Sequence, residues 1–140
     1  MIELRYIPPK ILHESWLEIY GDLVKCVEQE TDEILMEDVY HYIKSGLASL
    51  HIGYIDGEYK GFCILQRVED PFSGSPRLHV WFCHNKAGHT FLELFEKELI
   101  VMAKNISAKW ITFKSNRIAF NRLLKEYAPK ETIYFKEVAL

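Results

Sequence analysis

The chain has 140 residues, the size of one compact domain, and 49% of them are aliphatic, aromatic, methionine or cysteine. That content excludes a disordered tail and is enough to bury a sizeable core. A formal net charge of -3 argues against a broad basic surface for nucleic acid.

The first nine residues, Met1 to Pro9, include Glu3 and Arg5 and no long apolar region, so they do not read as a signal peptide. The longest unbroken apolar run, Leu99-Ile100-Val101-Met102-Ala103, is far too short to span a bilayer. Cys26, Cys63 and Cys83 are widely spaced, with no CxxC pair, and read as reduced thiols in a cytosolic-type compartment. The expectation is a cytoplasmic protein without a membrane segment.

Residues 2–7 alternate as a first strand, stopped by Pro8-Pro9. From Lys10 the period changes: Leu12, Trp16, Ile19, Tyr20, Leu23 and Val27 recur at three and four residues, predicting an amphipathic helix over roughly 10–29 with a solvated acidic face. A shorter helix is predicted over Met36–Lys44, with Ser45-Gly46 as its stop.

A β-rich block follows. Leu50, Ile52 and Tyr54 alternate with His51, Gly53 and Ile55, and a second run covers Tyr59 to Gln66. Asp56-Gly57 between them is a hairpin signal, because glycine accepts the positive φ of a tight turn. Asp70 to Pro76, with two prolines and a glycine, reads as a loop inside one domain spanning 1–140. Leu78, Val80 and Phe82 then alternate with His79, Trp81 and Cys83 as another strand.

Helical period returns over 88–106, with Phe91, Phe95, Leu99, Met102 and Ile106 on one face. Trp110 to Lys114 reads as a strand, Ile118 to Tyr127 as a helix stopped by Pro129, and Ile133 to Val138 as a last strand. The order β-α-α-β-β-β-α-β-α-β predicts an α/β (α+β) fold: a mixed central sheet flanked by helices. The strands at 78 and 110, joined by a helix, are expected to be parallel neighbours.

Trp16, Trp81, Trp110 and the Phe91/Phe95 stripe read as core. The histidines show no HxH or HExxH spacing, so no metal site is expected. Lys114, Arg117, Arg122 and Lys125 form a modest basic patch without a recognised nucleic-acid module.

This element order resembles the GNAT family of N-acetyltransferases over essentially the whole chain. Three passages add to it. Ile55 to Phe62 looks like the family's second hairpin, Val80 to Thr90 lies where the family binds coenzyme A, and Asn116 ends the following strand, where the family often has an Asn. The family loop runs Gln or Arg, two residues, Gly, one residue, then Gly or Ala. Here it is Asn85-Lys86-Ala87-Gly88-His89-Thr90, with Gly88 in place.

The resemblance implies a protein that moves an acetyl group from acetyl-CoA to an amine on a small molecule or protein. The cofactor would lie along Phe82, Cys83, His84, Asn85, Lys86, Ala87, Gly88, His89, Thr90 and Asn116, where the strands at 78–84 and 110–115 splay apart. Unpaired amides and a helix dipole attract its pyrophosphate. A base must take the amine proton, and His79 and His84 are the leading candidates, with His51, Glu69 and Asp70 behind them. His79 and His51 are expected on a solvated or half-buried face. The family's acid is a Tyr about seven residues after the strand-end Asn; that position is Leu123, and Tyr127, one turn on, is the substitute candidate.

A second reading is a catalytically inactive GNAT-fold interaction module. The chain is similar to small phage-encoded proteins of this fold in size, in its loop and in having Leu123. That reading implies a virion or host-protein partner, or a homo-oligomer, in the host cytoplasm or the virion.

Overall fold

The computed structural model describes residues 1–30, 33–86, 91–113 and 136. The predicted helix at 118–127 and strand at 133–138 lie outside the described residues, as do Lys114, Arg117, Arg122, Leu123 and Lys125.

Strand β1 covers Ile2–Ile7. Pro8 then turns the chain into one 3-10 turn, Pro9–Ile11, so the predicted helix at 10 begins as α1 over Leu12–Glu28. Helix α2 spans Met36–Lys44; the Asp38 carboxylate accepts the Leu35 N–H at its start, and Gly46 ends it at φ 83°. Strands β2 (Ser49–Ile55) and β3 (Glu58–Glu69) form the predicted hairpin. Asp56 and Gly57 sit at φ 50° and 81°, the two positive angles of a tight turn matched to strand twist. Strand β4 (Pro76–Asn85), helix α3 (Phe91–Asn105) and β5 (Trp110–Phe113) complete the described chain.

Among the described residues the sheet order is β1-β2-β3-β4-β5. The first three pairings are antiparallel, and β4–β5 is parallel, as the intervening helix requires. The mixed sheet flanked by helices is the predicted fold class.

The run Phe62-Cys63-Ile64-Leu65 is fully apolar because β3 is covered on both faces. Phe62 and Ile64 join Leu12, Ile19 and Leu23 of α1 and Val39 and Ile43 of α2 in one core. Cys63 and Leu65 join Phe95, Leu99 and Ala103 of α3 in the other. Trp16 and Trp81 pack against the first core, but Trp110 is 44% exposed, against the expectation that all three tryptophans are core.

The sheet has two irregularities that plain alternation does not foretell. Gly53 pairs with Gly61 and Tyr54 with Tyr59, so Lys60 is an extra residue on β3. Ile64 pairs with Phe82 and Leu65 with Val80, so Trp81 is an extra residue on β4. The second bulge corrects the alternation read from sequence. Leu78 and Val80 face α3, but Phe82 lies in the core beneath α1 and α2.

His51 is a further correction. It is buried beneath the α3 side of the sheet, beside Tyr6, with Ser49 Oγ 2.9 Å from its Nε2. Burial pushes its imidazole down to about 4. The unfolded chain therefore binds a proton that the native state refuses between about pH 6.5 and 4. Stability is expected to be full above that window and to fall by up to about 3 kcal/mol as pH drops through it. Urea midpoints across the window check this, and His51→Gln should flatten the slope there.

Among the described residues no disulfide joins Cys26, Cys63 and Cys83. Cys63 is wholly buried, and burial raises its thiol well above the usual range. Alkylation of the native protein is expected to mark Cys26 and Cys83 while sparing Cys63 until urea unfolds the chain. Equal labelling of all three under native conditions would contradict this packing.

Candidate active site

The C-terminal half of β4 carries four of the six described residues of the sequence-predicted site, Phe82, Cys83, His84 and Asn85, and the bulge arranges it. His79 and His84 are five residues apart, so a regular strand would send them to opposite faces. The extra residue at Trp81 puts both on the face beneath α1 and α2: His79 opposite Gln66, and His84 opposite Phe62.

His79 lies on the β4–β5 seam. Its Nδ1 is 2.9 Å from the Thr112 hydroxyl on β5, its partner in the parallel ladder. His84 sits at the other end, stacked on Phe62 at 6.1 Å, with Nε2 3.4 Å from Asp22 of α1. The other oxygen of Asp22 accepts the Tyr59 phenol at 2.9 Å. Burial and that carboxylate push the Tyr59 hydroxyl well above its usual range, so it remains a donor. Thr112, Asp22 and Tyr59 carry no motif; only the fold brings them to the histidines.

The remaining candidates separate from this group. His51 faces the opposite side of the sheet. Glu69 lies at the exposed end of β3 with Arg67 3.5 Å away. The Asp70 carboxylate accepts the Phe72 and Ser73 N–H groups and meets Arg77 at 3.3 Å, bonds that hold it below the usual carboxylate range and give it to the loop. Ala87, Gly88, His89, Thr90, Asn116 and Tyr127 lie outside the described residues.

The main chain of β4 has a defined polarity. Lys86 N–H donates to Lys60 O at 2.8 Å, so Lys86 and, two residues back, His84 aim their main-chain groups at β3. Cys83 and Asn85 therefore aim theirs away from it, toward the β5 side. Within the stretch Phe82–His84, only Cys83 points that way. Among the described residues the β4–β5 ladder runs from Arg77↔Trp110 to Val80↔Phe113, while β4 continues to Asn85. Cys26 of α1 places Sγ 3.8 Å from the Cys83 carbonyl oxygen.

Both side-chain polar atoms of Asn85 are buried without a hydrogen-bond partner among the described residues. A buried amide left unsatisfied is costly. Beside it, the Lys86 ammonium lies 5.6 Å from the centre of the Tyr59 ring. Among the described residues no cluster of His, Cys, Asp and Glu could hold a metal ion. No described helix is long and apolar enough to cross a membrane.

No family model matches the sequence, and no curated protein matches it. Solved structures do match over nearly the full length. A ribosomal-protein-alanine N-acetyltransferase from Brucella melitensis biovar Abortus 2308 superposes at TM-score 0.70 with 14% identity, over 99% of each chain. A predicted acetyltransferase from Clostridium acetobutylicum, solved with acetyl-CoA, gives 0.66 at 12%, over 99% of this chain and 96% of that one. An aminoglycoside N-acetyltransferase in complex with CoA gives 0.66 at 12%, over 99% and 100%. At such identities the likeness shows the fold, and that fold is GNAT.

Proposed function

We propose that this GNAT-fold protein is an N-acyltransferase that moves an acetyl group from acetyl-CoA to an amine. One observation carries the reading: the side-chain amide of Asn85, at the end of β4, is buried with no hydrogen-bond partner among the described residues. Solved neighbours of the same fold hold acetyl-CoA or CoA. In this chain the residues assigned to the cofactor are the main chain of Cys83 and Asn85, the Asn85 amide and Lys86, continued by Ala87–Thr90 and Asn116. Bound there, acetyl-CoA supplies an acetyl group activated as a thioester.

The chain's own work is then positioning and proton transfer. The Cys83 N–H is assigned the role of polarising the acetyl carbonyl. His79 is the assigned base. Its Nδ1 lies 2.9 Å from the Thr112 hydroxyl, which fixes the ring. Tyr127 is assigned the acid. His84 is tied to Asp22 and stacked on Phe62, which suits it to holding α1 against β4. The acceptor is an amine on a small molecule or protein. Among structural neighbours, the printed acceptors are ribosomal-protein alanine and aminoglycosides.

The experiment is a thiol-release assay with acetyl-CoA and a panel of primary amines, with mass spectrometry for the acetylated product. Amine-dependent release with a matching adduct supports the reading; no release with any amine counts against it. A second reading is an inactive interaction module with a virion or host partner. Under that reading acetyl-CoA at a hundred times a micromolar concentration leaves the melting temperature unchanged. Under the first, ligand at a hundred times its Kd adds about 2.7 kcal/mol.

A further inference from the structure

We propose that Cys63 of β3 and Cys83 of β4 form an oxidative modification site: a cross-strand dithiol that a hydroperoxide closes to a reversible disulfide. The two residues stand directly opposite each other in the β3–β4 ladder. The register is regular from Gly61↔Asn85 through Phe62↔His84 to this pair, and it shifts only beyond Ile64, at the Trp81 bulge. Residues directly opposite on neighbouring strands project to the same face. Both cysteines accordingly pack into the core beneath α3, with Leu65, Val80 and Phe95.

The hydrogen-bond phase of the ladder decides whether they can be joined. Lys86 N–H donates to Lys60 O, so hydrogen-bonded pairs fall at Lys86 and at His84. Cys63 and Cys83 are then a non-hydrogen-bonded pair, the kind in which Cα atoms approach to about 4.5 Å and side chains come closest. A disulfide spans Cα separations of about 4.4–6.8 Å, so the bridge fits without moving the strands. Burial raises the Cys63 thiol, and the Cys83 thiol adds to that rise, which sets the two sulfurs within electrostatic reach of each other.

The third thiol belongs to the other face. Cys26 of α1 packs against the core beneath α1 and α2, and its Sγ meets the main-chain carbonyl of Cys83 rather than its side chain. The sheet lies between Cys26 and the dithiol, so Cys26 is an internal control.

Exposure sets the order of events. Cys83 is partly exposed and Cys63 wholly buried, so an oxidant meets Cys83 first. Cys83 Sγ attacks one peroxide oxygen and becomes a sulfenic acid. The O–O bond breaks, and the other oxygen leaves as an alcohol, or as water when the oxidant is hydrogen peroxide. Cys63 Sγ then attacks the Cys83 sulfur. The S–S bond forms, the S–O bond breaks, and the hydroxyl leaves as water with the Cys63 proton. The two thiols together give up the two electrons that reduce the peroxide. The buried partner captures the sulfenic acid before a second peroxide drives it to sulfinic acid, and a small thiol reopens the bridge by exchange.

The test treats the folded full chain with a small molar excess of hydrogen peroxide, then unfolds it, alkylates it and maps the products by mass spectrometry. Acetyl-CoA is absent, so the outcome is independent of the acetyltransferase reading. The expected product is lighter by two hydrogens, links the Cys63 peptide to the Cys83 peptide, and reverts with dithiothreitol. Cys26→Ser should form the same bridge, and Cys83→Ser should form none. Oxidised in urea, the chain should give mixed pairings instead. The proposal is overturned if all three thiols of the folded chain remain alkylatable, if Cys83 accumulates as sulfinic acid while Cys63 stays a thiol, or if Cys26 enters the bridge. It is equally overturned if the Cys63–Cys83 pairing is no more frequent from the folded chain than from urea.

Discussion

Gly61→Ala is expected to cost about 4 kcal/mol, an exceptional loss for one methyl group. Gly61 sits on β3 at φ 155°, opposite Asn85, where the two backbones approach closely. An added Cβ would lie 2.0 Å from the His84 carbonyl oxygen, 3.0 Å from its carbon and 3.1 Å from Asn85 Cα. All three are main-chain atoms, so no rotamer change relieves the clash, and the strands must part at the end of β4. Gly21 supplies the control. It lies inside α1 with nothing within 4 Å of a new Cβ, so Gly21→Ala should be neutral or stabilising by up to about 1 kcal/mol. Urea denaturation reads both. Matching midpoints for the two variants would contradict the close approach of β3 to β4.

His79→Ala is expected to lower acetyl transfer by about 10²- to 10⁴-fold, the usual contribution of a positioned base. Acetyl-CoA binding should persist, because no group assigned to the cofactor is changed. Thr112→Val removes the hydroxyl 2.9 Å from Nδ1. It should reduce the rate less than His79→Ala does, and Thr112→Ser should restore it. His84→Ala should mainly destabilise the protein, because it unties Asp22 of α1 from β4. Steady-state rates and melting curves on the same preparations separate the two histidines. A His79→Ala enzyme with full activity would remove it from the base role.

Much of the fold was legible because its signals are local. Alternation over 2–7 and 50–66, the three-and-four spacing of Leu12 to Val27, and Asp56-Gly57 each specify an element from a few neighbouring residues. The parallel β4–β5 pairing followed from a helix between two strands. What escaped depends on contacts distant in sequence. The bulge at Trp81 is visible only in the register against β3, yet it puts His79 and His84 on one face and sends Phe82 into the other core. Burial of His51 depends on Tyr6 and Ser49 and on the cover that α3 provides, and a polar residue on a strand gives no hint of it. Asp70 reads as a candidate base until the loop N–H groups are placed around it. Trp110 reads as core by residue type, though 44% of it faces solvent. Asp22 sits among ordinary acidic positions of an amphipathic helix, and only the crossing of α1 over β3 and β4 gives it Tyr59 and His84 as partners.

Calorimetric titration of the full chain with coenzyme A tests the central claim most directly: that the end of β4, with its turned main chain and buried Asn85 amide, receives this cofactor. The account predicts saturable heat from one site, weakened by Asn85→Ala and by Lys86→Ala but not by His79→Ala. Absence of heat at millimolar coenzyme A, in a preparation that melts cooperatively, would contradict it.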